Sequence, residues 1–177
     1  AGVGPVVVAA AEPEIADAVE RAGGHAVLTH PDLPSGSDRI FAALQGIDPG
    51  GRYDTVINLQ GDLPALDPGQ ICAAAEALPG FDIATLAAPI VHDEDRTNPA
   101  VVKAVVAWDR AGSKGRALYF TRATAPTGDG PHFYHVGLYA FTRAALQRFV
   151  ALPPSPLEQR EKLEQLRALE AGMSIAV

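Results

Sequence analysis

Two short polar segments contain residues that could bind a phosphorylated ligand or a metal ion. The first is Pro34-Ser35-Gly36-Ser37-Asp38-Arg39, and the second is Gln60-Gly61-Asp62, which follows the apolar run Thr55–Leu59. In open α/β sheets, ligands bind beyond the carboxyl ends of the strands. A carboxylate there can hold Mg²⁺ through its hard oxygens, and a neighbouring glycine lets a ligand approach the backbone. Asp62 is therefore a candidate metal ligand.

Both segments also have a purely structural interpretation. Asp62 could cap a turn, and Ser37 or Asp38 could cap the helix that follows. For an isolated Gly-Asp pair the structural interpretation is the better one. The two segments indicate a binding site only together with the rest of the chain.

The elements that must position these residues alternate between strand and helix in the first half of the chain. The pattern predicts strands at Val6–Ala10, His25–Leu28, Thr55–Leu59 and Ile83–Ala87, and helices within Glu12–Gly24, Ile40–Leu44 and Pro68–Leu78. Such alternation is typical of an α/β fold in which helices cover a mostly parallel sheet in three layers.

The second half departs from this rhythm. It predicts an inserted β-hairpin, a further strand, a short helix and one long helix, at Val101–Trp108 with Ala117–Phe120, His135–Phe141, Arg143–Phe149 and Leu157–Ala171. Nothing in the pattern demands a second unit, so residues 1–177 are predicted to form a single domain.

Composition excludes several classes of protein. The 177 residues include 14 Lys and Arg against 21 Asp and Glu, and the net charge of −7 argues against binding to nucleic acid. No apolar run approaches the ~18 residues that a membrane span needs. The single cysteine, Cys72, cannot form an internal disulfide, which favours a reducing, cytoplasmic location.

Both ends of the chain read as strands. It opens without Met at Ala1 and closes at Ser174–Val177. We therefore expect that segments of a longer protein precede and follow these residues.

A set of segments occurs in one order along the chain: Pro34–Arg39, Val56–Pro64, Asn98–Lys103, Ala117–Arg122, His135–Tyr139 and Pro154–Arg167. Their order and spacing closely resemble the 3-deoxy-manno-octulosonate cytidylyltransferase (CMP-Kdo synthetase) family over nearly the whole chain. The resemblance implies a sheet of nucleotidyltransferase type and the reaction of CTP with 3-deoxy-manno-octulosonate (Kdo), which gives CMP-Kdo and pyrophosphate for lipopolysaccharide assembly. It also implies Mg²⁺ as cofactor, a homodimer, and in-line attack by the anomeric hydroxyl on the α-phosphate. Such a transfer depends on alignment and charge neutralisation.

The resemblance also implies roles for individual residues. Asp62 matches the magnesium ligand, and the loop around cytosine and ribose matches Ser35, Gly36 and Ser37. The positions that face the sugar acid match Gln60, Arg122, His135, Tyr139, Glu164 and Gln165. Among all these, the residues expected in the catalytic machinery are Asp62, Gln60 and Arg122, and the planar fork of Arg122 suits the sugar carboxylate.

Each of these residues has a structural alternative. His135 could satisfy a backbone group, and Arg122 could form a surface ion pair. Tyr139 could belong to the core or to a subunit contact. Glu164 and Gln165 could be solvated on the predicted long helix.

The chain also departs from the family pattern. Leu63 replaces an acid, and the family's phosphate loop and second metal-binding Asp would lie before Ala1 and after Val177. Two alternatives therefore stay open: a nucleotidyltransferase for another sugar acid such as sialic acid, and a non-catalytic domain for ligand binding or oligomerisation. The segment Pro154–Arg167 favours Kdo, because it resembles only that family.

Overall fold

The computed structural model describes residues 2–63 and 65–177, so Ala1 and Pro64 lie outside the described residues. The elements are, in chain order, β1 (Val8–Ala10), α1 (Pro13–Arg21), β2 (Ala26–Leu28), α2 (Gly36–Ile47), β3 (Thr55–Leu59), α3 (Pro68–Ala77), β4 (Ile83–Pro89), α4 (Asp93–Thr97), β5 (Lys103–Trp108), β6 (Gly115–Thr121), β7 (Phe133–Thr142), α5 (Arg143–Val150), α6 (Pro156–Glu161), α7 (Gln165–Glu170) and β8 (Ile175–Ala176).

The main sheet is mixed, which corrects the prediction of a mostly parallel sheet. Its six strands lie in the order β3-β7-β4-β8-β6-β5, and β1 pairs with β2 in a separate parallel pair. Strand β7 lies antiparallel between β3 and β4, and within the described part of this main sheet only β4 and β8 pair in parallel. The alternating first half predicted parallel neighbours, but it gave no sign that a strand from the second half is inserted between β3 and β4. The predicted hairpin is confirmed, since β5 and β6 pair antiparallel.

Helices cover both faces of this sheet. Along β7, Tyr139 and Phe141 pack into a core with residues of α2, α5 and α7. Leu138 and Ala140 point to the opposite face and pack against α3. This alternation is what a strand buried on both faces requires.

The predicted long helix is wrong, because the chain breaks it into α6 and α7. Lys162 adopts a left-handed conformation with φ 58°, directly after the last residue of α6. Leu163 and Glu164 then connect to α7, which begins at Gln165. The break turns the chain so that Glu164 and Gln165 point back toward the sheet.

Helix α2 begins earlier than predicted and includes most of the polar segment 34–39. Ser35 is its N-cap, and the Ser35 hydroxyl oxygen accepts a hydrogen bond from the backbone N–H of Asp38 at 3.2 Å. The cap satisfies a backbone donor that the first turn leaves free. Within the described residues, no helix combines the length and the apolar character that crossing a bilayer requires.

Candidate functional site

A group of polar side chains meets at one end of β7, where α2 and α7 approach the sheet. We call Ser37, His135, Tyr139, Glu164 and Gln165 the β7 cluster. Four of them, Ser37, Tyr139, Glu164 and Gln165, line one small cavity whose remaining wall is formed by Ile83, Phe141 and Phe149. The structure therefore brings together five residues that the sequence predicted as ligand contacts.

Glu164 and Gln165 present unused hydrogen-bonding atoms. Glu164 Oε2 accepts a hydrogen bond from the Ser37 hydroxyl at 3.2 Å. Glu164 Oε1 and Gln165 Nε2 are both buried, and neither has a partner within the described residues. Buried polar atoms without partners are costly and rare, so these two atoms need a hydrogen-bond partner such as a water molecule or a polar group of a ligand. The alternative that both residues are solvated is wrong for Gln165, which is 6% exposed.

Tyr139 lies deep in this cavity. Burial raises its pKa, and the nearby charge of Glu164 raises it further. The phenol therefore keeps its proton and can donate a hydrogen bond. Tyr139 packs in the core, as its structural alternative proposed, and it also lines the cavity.

His135 is held as a neutral ring. Its Nε2 lies 2.9 Å from the Thr85 hydroxyl oxygen, and its ring packs against Phe120 and Tyr139 with centroid distances of 5.0 and 5.4 Å. The Thr85 hydroxyl donates to the Leu138 carbonyl at 2.8 Å, so it accepts from His135 Nε2–H. This leaves Nδ1 as an acceptor. Burial lowers the pKa of His135 to about 4, which keeps the imidazole neutral at physiological pH.

Arg122 is anchored by backbone carbonyls. Its Nε, Nη1 and Nη2 donate to the carbonyls of Glu161, Pro99 and Lys162 at 2.8, 3.0 and 3.4 Å. The alternative of a simple surface ion pair is therefore wrong. Each terminal nitrogen keeps a further N–H, so the guanidinium can still bind a carboxylate. The bond to Lys162 places Arg122 beside the segment that carries Glu164.

The turn after β3 is more exposed to solvent than the β7 cluster. It is closed by the Leu63 N–H, which donates to the Gln60 carbonyl at 3.2 Å, so a backbone bond and not the Asp62 carboxylate closes it. Asp62 is exposed, and Gln60 is half-buried with its side chain over Gly137. A Cβ at position 137 would lie 3.4 Å from Gln60 Oε1, an ordinary van der Waals contact, so the Gln60 side chain lies directly beside β7.

The polar segment before α2 is only partly available for a ligand. The Ser35 hydroxyl caps the helix and also donates to Asp38 Oδ2 at 2.6 Å, and the Ser37 hydroxyl binds Glu164. Gly36 is exposed. The cap that the sequence assigned to Ser37 or Asp38 thus belongs to Ser35.

Residues 2–63 and 65–177 contain no group of three or more His, Cys, Asp or Glu side chains arranged to hold a metal ion. Asp62 supplies one exposed carboxylate. Mg²⁺ commonly takes one or two protein carboxylates and completes its shell with water and substrate phosphates. The single carboxylate of the β3 turn therefore fits a Mg²⁺ whose other ligands come from water and a bound triphosphate. It does not suffice to hold a cation by itself.

Comparison with known proteins gives a consistent result. The family model described as cytidylyltransferase matches residues 2–175. The 3-deoxy-manno-octulosonate cytidylyltransferase of Parvibaculum lavamentivorans is 66% identical over 179 residues, which cover 100% of this chain and 69% of that protein. The enzyme of the same name from Rhodospirillum centenum is 64% identical over 179 residues, covering 100% and 70%.

The chain belongs to the 3-deoxy-manno-octulosonate cytidylyltransferase family. It is accordingly a nucleotidyltransferase, and the fold agrees. A structure of CMP:2-keto-3-deoxy-manno-octonic acid synthetase complexed with CTP superposes with a TM-score of 0.88 at 36% identity, covering 99% of this chain and 71% of that one.

Three further residues of this cytidylyltransferase chain support the site, although sequence reasoning assigned them no role. Thr85 orients His135, and the Glu161 carboxylate accepts hydrogen bonds from the Thr121 hydroxyl at 2.8 Å and from the backbone N–H of Arg122 at 2.9 Å. Lys103 lies fully buried behind Arg122. The signal available for Lys103 was a cation in an otherwise apolar strand.

Proposed function

We propose that the protein catalyses the reaction of CTP with Kdo to give CMP-Kdo and pyrophosphate, which supplies activated Kdo for lipopolysaccharide assembly. The observation that carries the proposal is the 66% identity, over 100% of this chain, to an enzyme named for this reaction, and the buried atoms Glu164 Oε1 and Gln165 Nε2, which lack partners within the described residues, agree with it. They lie in a cavity of a chain that belongs to the family with this activity.

The similar proteins support both substrates. The relatives carry the name 3-deoxy-manno-octulosonate cytidylyltransferase, and the similar solved structure is a synthetase complexed with CTP. Because a family relationship this close extends over the whole chain, we transfer the substrate pair to this protein.

The sugar acid would lie between the β7 cluster and Arg122. A polyhydroxylated acid needs a cation for its carboxylate and both donors and acceptors for its hydroxyls. Arg122 has N–H groups to spare, Glu164 Oε1 and His135 Nδ1 accept, and Gln165 Nε2 donates. The hydroxyl of Tyr139 adds a further donor. This set would hold the anomeric hydroxyl in position for in-line attack.

The nucleotide and its metal would lie at the neighbouring strand end. Asp62 would contribute a carboxylate to Mg²⁺, and the side chain of the half-buried Gln60, two residues earlier, lies beside Gly137 of β7. When bound, Mg²⁺ neutralises charge on the phosphates and aligns them. We assign the cytosine and ribose to the segment Ser35, Gly36 and Ser37, with Gly36 leaving space for close approach; Ser37, bonded to Glu164, would then lie at the boundary between the nucleotide and the sugar acid.

Substrate choice tests the proposal. Pyrophosphate release by the full-length protein should require CTP and Kdo together with Mg²⁺. Replacing CTP by ATP, or Kdo by sialic acid, should reduce the rate by more than about tenfold, since unmatched hydrogen-bonding groups are penalised strongly. Equal or greater activity with sialic acid would assign the alternative sugar, and binding without turnover in every combination would favour the non-catalytic alternative.

We further propose that the protein is a cytoplasmic homodimer. Leu118 on β6 and Tyr134 on β7 are 51% and 40% exposed, which is high for large hydrophobic side chains. A second copy covering them would remove this apolar area from water. Sedimentation equilibrium should give twice the monomer mass, and a monomer at micromolar concentration would contradict the proposal.

A further inference from the structure

Lys103 carries a buried charge directly behind the proposed sugar-acid site. The residue begins β5 and is 0% exposed. Its ammonium donates to the carbonyls of Asn98, Val101 and Arg122 at 2.7, 2.8 and 3.2 Å. All of its N–H groups are therefore used on backbone oxygens, and none is available to a ligand.

These bonds hold two groups that determine where the Arg122 side chain lies. One of them fixes the main chain of Arg122 itself. The other two fold the turn that contains Pro99, whose carbonyl accepts from Arg122 Nη1 at 3.0 Å. Lys103 thus holds both the backbone from which the guanidinium extends and one of the carbonyls against which it rests.

The residue type is costly at this position. Burial lowers the pKa of Lys103, and the charge of Asp95 raises it in partial opposition. A buried ammonium stabilises a fold less than a well-packed apolar side chain of similar volume. Three bonds to backbone carbonyls offset part of this cost, and they fix the backbone of Arg122 and the turn on which its guanidinium rests.

We propose that Lys103 is a positioning residue, which sets the orientation of the Arg122 guanidinium for the carboxylate of the sugar acid. The inference rests on the proposed function of Arg122. It assigns Lys103 no contact with either substrate.

The test is steady-state kinetics of the full-length protein carrying Lys103→Met, a side chain of similar length without N–H donors. The KM for Kdo should rise about 10- to 100-fold, because small displacements of positioning groups have effects of this size. The KM for CTP should change less than about twofold, because Lys103 lies behind the sugar side alone. Lys103→Gln retains amide N–H donors and should recover part of the loss. If Lys103→Met does not fold, as judged by circular dichroism, the changes in the KM for Kdo and the KM for CTP are compared in Lys103→Gln instead.

Arg122→Ala and the double variant separate the two claims. If Lys103 acts through Arg122, adding Lys103→Met to Arg122→Ala should raise the KM for Kdo little further. An unchanged KM for Kdo in Arg122→Ala would overturn the proposed role of Arg122. The positioning role alone would be overturned if Arg122→Ala raised the KM for Kdo strongly while Lys103→Met left it unchanged. It would also be overturned if the effects of the two substitutions on this KM were additive in the double variant.

Asp48→Asn is the matched control for lost stability. Asp48 is also 0% exposed, accepts from Arg143 Nη1 at 2.7 Å, and lies at the other end of α2. This variant should lower the unfolding temperature and leave the ratio of the two KM values unchanged. If it raises the KM for Kdo as Lys103→Met does, the effect of Lys103 is general destabilisation and the inference is wrong.

Discussion

The β7 cluster and the turn after β3 lie at neighbouring strand ends and are held in very different ways. In the β7 cluster, Glu164 is bonded to Ser37 and the ring of His135 is fixed by Thr85. In the turn, a backbone bond joins Leu63 to Gln60 among the residues that the structure describes, and Asp62 is exposed. The protein itself orders the first region, while the second offers one open carboxylate.

This difference follows from what each region is proposed to bind. A sugar acid carries many directional groups, so the protein must fix donors and acceptors before it arrives. A metal–triphosphate brings its own charges and most of its own ligands. The open side should therefore act through one strong electrostatic interaction, and the ordered side through several modest ones.

Asp62→Asn provides the largest expected effect. The amide keeps the shape of the side chain and removes its charge, so the kcat for pyrophosphate release should fall about 100- to 1,000-fold. The KM for Kdo should change much less. Asp129→Asn, in another exposed loop, serves as the control and should retain full activity. A comparable loss of kcat in the two variants would contradict the proposed role of Asp62 in binding Mg²⁺.

The pH dependence of stability reports on the ordered region. Burial lowers the pKa of His135 from 6.5 to about 4, so the unfolded chain binds this proton at a higher pH than the native protein. Stability from this residue is complete above pH 6.5 and is lost as pH falls toward 4. Denaturant unfolding at pH 6.5 and 4.5 should differ by roughly 2–3 kcal/mol on this account.

His135→Gln removes the titrating group, so the free energy of unfolding should change less between pH 6.5 and 4.5 in this variant than in the wild type. Glu158 and Glu161 have pKa values held below 4.5 by hydrogen bonds that outweigh their burial, so their contributions are lost only at lower pH. An equal decline in wild type and His135→Gln between pH 6.5 and 4.5 would show that the imidazole is not held neutral by burial.

Glu164→Gln tests the modest interactions expected on the ordered side. The change keeps the side-chain volume and weakens a charge-assisted hydrogen bond, worth about 1.5–3 kcal/mol. The kcat/KM for Kdo should fall roughly 10- to 100-fold, with a much smaller change in the KM for CTP. Glu76→Gln, at an exposed position of α3, is the control. A larger effect on CTP than on Kdo would place Glu164 on the nucleotide side.

Ser35→Ala should have the smallest effect. It removes the N-cap of α2, and the free energy of unfolding should fall by about 1 kcal/mol. A KM for CTP that changes less than about threefold would mean that this hydroxyl serves the helix. A change above about tenfold would establish the nucleotide contact that the family resemblance implies.

The sequence predicted much of this arrangement because motif spacing and hydrophobic period are local properties. Strand β3 has the predicted bounds Thr55–Leu59, and the hairpin of β5 and β6 was predicted from two apolar runs around a polar turn. The insertion of β7 between β3 and β4 could not be predicted in the same way, since strand order is set by long-range packing.

The break between α6 and α7 is a second feature, this time at the site, that local sequence patterns did not predict. Leu157–Ala171 has helical periodicity throughout, yet Lys162 turns left-handed and exposes new faces to the sheet. Leu163 and Leu166 are then buried in the core, which stabilises the turn. The family resemblance identified Glu164 and Gln165 as candidates, but only this break explains why their polar atoms reach the cavity beside β7.

The most direct test of the account is a crystal structure of the full-length protein with Mg²⁺, Kdo and a CTP analogue whose α,β-bridge is methylene. We predict that the Kdo carboxylate lies on Arg122, its hydroxyls on Glu164 and Gln165, and the metal between Asp62 and the phosphates. Kdo bound away from the β7 cluster, or a metal shell without Asp62, would contradict it.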